Sequence, residues 1–434
     1  MLLTVFVLTA QLGTGAGAWR PDGPAEAKDS ISLARLLERV RTLHPHLSAA
    51  AARVDAARGA RRAAGAFPNP VLQFGIANAA LPGRGPLVGI DHEATSTATV
   101  PLEFLYQRGA RVHRADAELE AAQADAFAGR QRVAVEAAQS YYRVALAEVE
   151  LATALDLSNW LDSLVSYSRL RVVEGAAAGA DLLRAELEHD RAGAEVTLRQ
   201  TALAQARAGL GFFYGDSIGP PGSIPPIVIP AAPLARPLLG APVGPRPEVR
   251  SARARLVAAQ AGVGIARSMT VRDLSAMVGL KRSVGTTSLL AGIVLPLPIV
   301  NANRGALDQA EAERAAATFD LAVVDRQVRS ETAGVVEGAR LLRERIQVLA
   351  GSRDSSGTRT GYLARADEAR RIAVGAYREG AVPLFQVLDA ARAWGEARLI
   401  YFRTLFAQHE SVVALLAAEG HDLFTAFDGE ELRQ

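Results

Sequence analysis

The chain is written twice. His44-Pro45-His46-Leu47 opens a helical stretch in the first half, and Arg246-Pro247-Glu248-Val249 opens one in the second. Leu102-Glu103-Phe104-Leu105-Tyr106-Gln107-Arg108-Gly109-Ala110 returns as Leu297-Pro298-Ile299-Val300-Asn301-Ala302-Asn303-Arg304-Gly305-Ala306. Val173-Glu174-Gly175, six residues before Asp181-Leu182-Leu183, returns as Arg378-Glu379-Gly380, six residues before Gln386-Val387-Leu388. The landmarks recur at offsets of 202, 196 and 205 residues (44 to 246, 109 to 305, 175 to 380). One order at nearly one offset indicates a duplicated unit, and an internal period must be read before any local propensity. Residues 30–215 and 247–419 are the two copies, 216–246 the link and 420–434 a tail.

Composition excludes several classes of function. A net charge of +2 is too weak a field to hold nucleic acid, and no basic block interleaves with aromatics. Cysteine is absent, so there is no disulfide framework, no Cys-ligated metal and no lipidated N-terminal Cys. Of the histidines, only His44 and His46 are close together, and no His/Asp/Glu cluster has metal-ligand spacing. There is no G-x-S-x-G nucleophile motif and no phosphate loop. Gly262-Val263-Gly264 falls within a helical stretch and lacks the rest of a dinucleotide fingerprint. Neither catalysis nor a bound cofactor or metal is expected.

Leu2 to Ala10 is a short apolar run, and Ala16-Gly17-Ala18 precedes Trp19 in a small-residue cleavage pattern. Residues 1–18 therefore read as a secretory signal peptide, though without the usual basic residues before the apolar run. Beyond them no apolar run approaches the ~20 residues of a spanning helix, so any membrane crossing must be made by strands.

The period then alternates along each copy. Ser30 to Ala66 reads as one helix with Ser32 as its cap, stopped by Pro68-Asn69-Pro70. Pro70–Asn78 and Ala94–Leu102 alternate at period two, with Thr95, Thr97 and Thr99 on one face, which predicts strands. From Arg111 to Glu174 nothing breaks a helix, and 64 such residues would run roughly 95 Å. Patterns this long point to coiled coil or helical repeat. Asp181 is placed to cap the next helix, to Phe212. The Pro-rich link cannot be helical and should lie extended. The second copy repeats the order: helix to Arg267, two alternating runs (Leu274–Leu280 and Leu289–Leu297), and a helical path from Gly305 to Gly380. A loop-like insert at 351–361 interrupts that path. The last helix, Leu384 to Ala418, carries Leu388, Ala391, Gly395, Leu399, Phe402, Phe406, His409, Val413 and Leu416 at spacings of 3 or 4, a coiled-coil seam in which His409 reads as a packed core residue.

Four strands leave two open edges, which proteins avoid. Strands of about ten residues suit a tilted barrel through a bilayer, and three copies would close one of 12 strands. The fold class is therefore α+β, dominated by long helical coiled coils, with two transmembrane strands per copy; oligomerisation is the simple way to close the barrel, and the strands themselves do not state a copy number. A periplasmic coiled-coil adaptor or scaffold is the alternative, but it would not need four bilayer-length strands placed symmetrically.

The sequence resembles the TolC-like outer-membrane efflux channels, and among them the CzcC-type members linked to heavy-metal resistance. The likeness spans roughly Ser30 to Glu419. It rests on Phe67-Pro68-Asn69-Pro70-Val71-Leu72, on Pro101-Leu102-Glu103 with Arg108-Gly109-Ala110-Arg111, on Leu295-Pro296-Leu297-Pro298 with Asn301 to Ala306, and on the Glu-Gly pairs at 174–175 and 379–380. It implies a trimer with a 12-stranded barrel in the outer membrane and an α-helical tunnel in the periplasm, the Pro-rich link lying in an equatorial belt. It implies a passive exit duct for small molecules or heavy-metal cations. Its partners would be a periplasmic adaptor, an inner-membrane pump of the RND type and outer-membrane lipid. A duct for protein secretion shares the fold.

By position the resemblance puts Asp181, Gln386, Asp389 and Tyr377 near the periplasmic aperture and the turns at Gly175 and Gly380 where the adaptor docks. The family often has an acidic residue where this chain has Gln386. Asp389 would form a ring of three carboxylates, which favours cations and in which each carboxylate raises the pKa of the others. On the residues alone, Asp389 is a solvated helix residue. Gly175 and Gly380 permit tight turns. Glu103, Arg108 and Arg111 are expected to satisfy polar groups where strand meets helix.

Overall fold

The computed structural model describes residues 30–77, 93–215, 225–230, 245–269, 274–283, 285–295, 297, 302–351 and 361–427. The expected signal peptide, most of the Pro-rich link and nearly all of the insert lie outside the described residues. Two helical segments come first among the described residues, α1 (Leu33–Leu43) and α2 (Pro45–Gly65). The single helix expected over 30–66 is thus divided. The ring of Pro45 clashes with an α-helical residue before it, and His44 adopts φ −73°, ψ 122° accordingly. Ser32 caps α1, its Oγ accepting from Arg35 N at 3.3 Å.

Then follow β1 (Val71–Ala77), β2 (Glu93–Pro101), α3 (Arg108–Val173) and α4 (Gly179–Tyr214). The second copy gives α5 (Pro247–Ser268), β3 (Ser275–Ser283), β4 (Thr286–Val294), α6 (Arg304–Ala350), α7 (Tyr362–Arg378) and α8 (Leu384–Ala418), with a short α9 (Leu423–Ala426) after it. Pro247 stands at the first helical position of α5, where its missing N–H costs nothing. The architecture is the duplicated one: helix, two strands, then long helices, twice.

The described residues fall into two units, one within 30–44, 131–244 and 331–427, the other within 45–130 and 245–330. The second holds the sheet, antiparallel throughout, in the order β1-β2-β3-β4. Each copy supplies a hairpin, and the hairpins join through β2 and β3, with Glu93 opposite Ser283 and Pro101 opposite Ser275. At the helix-proximal end the ladder continues with Leu102 N to Leu274 O at 2.7 Å. Gly279 makes the close approach possible. A Cβ there would meet Ser96 O and lie 2.9 Å from Thr97 Cα.

The junctions from sheet to helix are built differently in the two copies. In the first, Arg111 pairs with Glu103 at 2.9 Å, and Arg108 donates to Gly65 O at 2.8 Å while its guanidinium stacks 4.8 Å from the Phe67 ring. The three charged residues do satisfy polar groups at the junction. In the second, Asn303 takes a left-handed φ of 58° and its Nδ2 donates to Ala266 O at 2.8 Å. Asn tolerates that conformation better than other side chains.

The other unit is helical. A cluster of Leu161, Leu164, Val165, Ala185, Tyr377, Leu384, Val387 and Leu388 draws on α3, α4, α7 and α8. The described stretch of the Pro-rich link is extended, as expected, and Ile227 forms a parallel bridge with Ile31 and is buried. The seam expected on α8 is buried except for Leu399, which is half-buried. The buried surface is wider than a two-stranded seam, because Trp394, Ala397, Tyr401, Leu405, Val412 and Leu415 are buried as well. A helix apolar on most sides is packed between several neighbours. His409 is a core residue, edge-on to the Tyr142 ring at 5.2 Å.

Candidate functional site

Two features stand out: the sheet and the two glycine-closed turns between long helices. The register sorts the sheet's side chains into two faces of different character. One is mainly apolar and presents Leu72, Phe74, Ile76, Val278, Leu280, Leu289 and Ile293, all exposed, with Ser96, Arg282 and Thr287 among them. The opposite face presents Gln73, Thr95, Thr97, Thr99, Ser275 and Ser288, with Val71, Met277, Leu290 and Val294 interspersed. Burial normally hides such an apolar face, so an exposed one of this size marks contact with lipid or protein. β1 and β4 each have one unpaired edge within the sheet. No described helix is long and apolar enough to cross a membrane.

After α3 and after α7, Glu-Gly forms turns with the same hydrogen-bond pattern. After α3, Gly175 at φ +74° closes a turn in which Gly175 N donates to Val172 O at 3.0 Å and Ala176 N to Arg171 O at 2.8 Å. After α7, Gly380 at φ +76° does the same, with Gly380 N to Tyr377 O at 3.0 Å and Ala381 N to Ala376 O at 2.8 Å. This is the Schellman arrangement, which satisfies the last carbonyls of a helix and requires a left-handed residue. Both expected turns are present.

The next helix begins alike in each copy. Asp181 and Gln386 are each the third residue of their helix, with Asp181 N bonded to Ala178 O at 3.0 Å and Gln386 N to Pro383 O at 3.1 Å. Asp181 is therefore not the cap. Ala178 holds that position without a side-chain bond, and Asp181 lies in the first turn, where its charge still favours the helix N-terminus. Gln386 and Asp389 are exposed, and Asp181 is half-buried.

Tyr377 is brought into the core, only 5% exposed. Its ring meets Tyr167 edge-on at 5.9 Å, and the Arg171 guanidinium stands 5.4 Å from its centre. Arg171 also donates to Ala176 O at 3.1 Å, tying the first turn to this aromatic pair. Sequence reading missed Tyr167 and Arg171. Their i,i+4 spacing just before Glu174-Gly175 was the available signal. It also missed a polar cluster on α8. Trp394 Nε1 donates to Asp367 Oδ1 at 2.5 Å, Arg370 stacks 4.6 Å from the Trp394 ring, and Arg398 pairs with Asp156 at 2.6 Å. Among the described residues, no group of His, Cys, Asp and Glu could hold a metal ion.

The family model described as "Outer membrane efflux protein" matches residues 36–216 and again 244–421, once per copy. The chain belongs to that family. It is an outer-membrane efflux channel, a member of a family of transporters and not of enzymes. Among curated relatives it is 26% identical over 417 residues to the cobalt-zinc-cadmium resistance protein CzcC of Cupriavidus metallidurans, covering 94% of each chain. It is also 26% identical over 311 residues to the nickel-cobalt-cadmium resistance protein NccC of Alcaligenes xylosoxydans, covering 70% of this chain and 69% of that one. Among solved structures, the fold matches CusC with a TM-score of 0.72 at 19% identity, over 90% of this chain and 92% of that one. It matches the outer-membrane channel OprN with a TM-score of 0.74 at 21% identity, over 89% of each.

Proposed function

We propose that three copies of this chain join edge to edge, β4 of one beside β1 of the next, to close a 12-stranded barrel in the outer membrane. The observation that carries this is the sheet itself: open at both edges, apolar and exposed on one face, hydroxyl-rich on the other. The apolar face meets lipid and the hydroxyl face lines water. The long helices form a tunnel in the periplasm that ends at the turns of Gly175 and Gly380. Those turns offer the docking points for a periplasmic adaptor, which links the duct to an inner-membrane pump of the RND class. Residues 1–18 direct export, 30–215 and 247–419 are the two structural repeats, and 216–246 links them.

The cargo is a small molecule or heavy-metal cation, the latter supported by the resistance named for both curated relatives. The duct is passive, and the pump supplies the energy. At the aperture, Asp389 from three copies forms a carboxylate ring, with Gln386, Asp181 and Tyr377 beside it. Such a ring favours cations.

Fractionation of expressed protein, heat-modifiable mobility and crosslinking of the detergent extract test the assembly. A trimer in the outer membrane is expected, and a soluble periplasmic species would replace the duct with a scaffold. Single-channel recording of Asp389→Ala tests the ring. Cation selectivity should fall, and unchanged selectivity would remove the ring.

A further inference from the structure

Two observations meet on the polar face of the sheet. The first is its charge. Among the described residues of that face, Glu93 and Lys281 alone are ionised, the rest being mainly Thr, Ser, Gly and apolar side chains. The second is that the two charges are joined. Lys281 Nζ lies 2.8 Å from Glu93 Oε2, and Ser283 Oγ donates to Glu93 Oε1 at 3.1 Å. The pair bridges β2 and β3, strands of different copies that no turn connects. It sits at the ends of those strands that do not lead into helices. Composition sets Lys281 apart: of 48 basic residues only Lys28 and Lys281 are lysine. Both side chains remain about a third exposed, 36% for Lys281 and 31% for Glu93, so water and small reagents reach them.

We infer that Glu93 and Lys281 are a charge-cancelling pair that keeps the strand wall of the barrel lumen electrically neutral, so that this wall does not discriminate between cations and anions. The inference rests on the barrel reading above. A compact ion pair has a field that fades within a Debye length of ~8–10 Å, and the neighbouring hydroxyls solvate cations and anions alike. Removal of one partner leaves three like charges around one lumen, and a charged ring in a narrow channel selects against its own sign. The neutral wall leaves discrimination to the narrow end of the duct.

The test is the reversal potential of the purified full-length protein in a planar lipid bilayer under a potassium chloride gradient. Lys281→Met should raise the potassium-to-chloride permeability ratio by about two-fold or more, and Glu93→Gln should lower it by a similar factor. The double variant, and the exchange Glu93→Lys with Lys281→Glu, should both return close to the parent ratio. A merely structural pair would not give shifts of opposite sign that cancel. Each variant is measured also in the Asp389→Ala background, so that charge at the narrow end does not mask the barrel. Amine acetylation of the assembled parent avoids any folding defect. It should shift the ratio as Lys281→Met does and leave the Lys281→Met protein unchanged. Single replacements and acetylation that leave the ratio unmoved in both backgrounds would overturn the inference. A parent protein that conducts no ions would instead overturn the barrel reading itself.

Discussion

The helices that follow the two tip turns, α4 and α8, occupy equivalent places in the repeat and have opposite surroundings. α8 buries 18 of its 35 residues, whereas α4 buries 5 of 36. The contrast is sharpest at one leucine. Leu183 and Leu388 are equivalent at the 205-residue offset, yet Leu183 is 63% exposed and Leu388 is 4% exposed. Leu187 and Leu198 on α4 are exposed as well. Duplication therefore copied the chain path and the turns but not the packing. α8 became the central helix of its unit, crossed by the charge network of Arg398 with Asp156 and Arg403 with Glu150. α4 kept apolar side chains that no described residue of its own chain covers, and exposed apolar stripes of this kind mark contact with a partner. On the duct reading, that partner is a second copy.

Replacements can break this contrast, and the largest effect is expected in α8. Phe402 is 1% exposed, so Phe402→Ala should cost about 3–5 kcal/mol through lost burial and the cavity left behind. Denaturant unfolding of the purified protein would show it as a lower midpoint. The turns should respond equally in both copies. Gly175→Ala and Gly380→Ala meet no atom within 4 Å, so each should cost only the left-handed backbone penalty of about 1–2 kcal/mol. Unequal costs, measured by the same unfolding, would show that the two tips are not equivalent in the assembled protein.

On α4, Leu187→Ala removes a side chain that is 71% exposed. It should change the stability of a single chain by less than about 0.5 kcal/mol. It should nevertheless reduce the crosslinked trimer recovered from detergent. An unaltered trimer would mean that this leucine does not face a neighbouring copy.

The smallest effect is expected at Glu410 on α8. Burial raises its pKa, opposed by the nearby charge of Arg143. A carboxyl whose folded pKa is raised favours the folded state while it is protonated, below its unfolded pKa. That contribution is lost as pH rises through the folded pKa. Glu410→Gln should therefore raise the melting temperature slightly at pH 7 and leave it unchanged near pH 3. The reverse order would mean that Arg143 outweighs burial.

Much of this was legible in the chain because it depends on neighbours in sequence. The tip turns follow from Glu-Gly after a helical run, and the strands from alternation at period two, since both are set by local backbone geometry. The duplication itself is a property of the sequence alone, and with it came the helices that flank each hairpin. Other features depended on residues far apart. The break at His44 is local as well: Pro45 bars an α-helical residue before it, and that steric effect overrides the otherwise unbroken helical pattern of 30–66. The pairing of β2 with β3 has no turn to announce it, and the Gly279 contact and the Glu93–Lys281 bridge appear only once the strands are aligned. Which of two similar helices is buried was likewise decided by tertiary structure. Burial is a property of the whole packing arrangement, and a leucine carries no local mark of whether another helix, another copy of the chain or water lies against it.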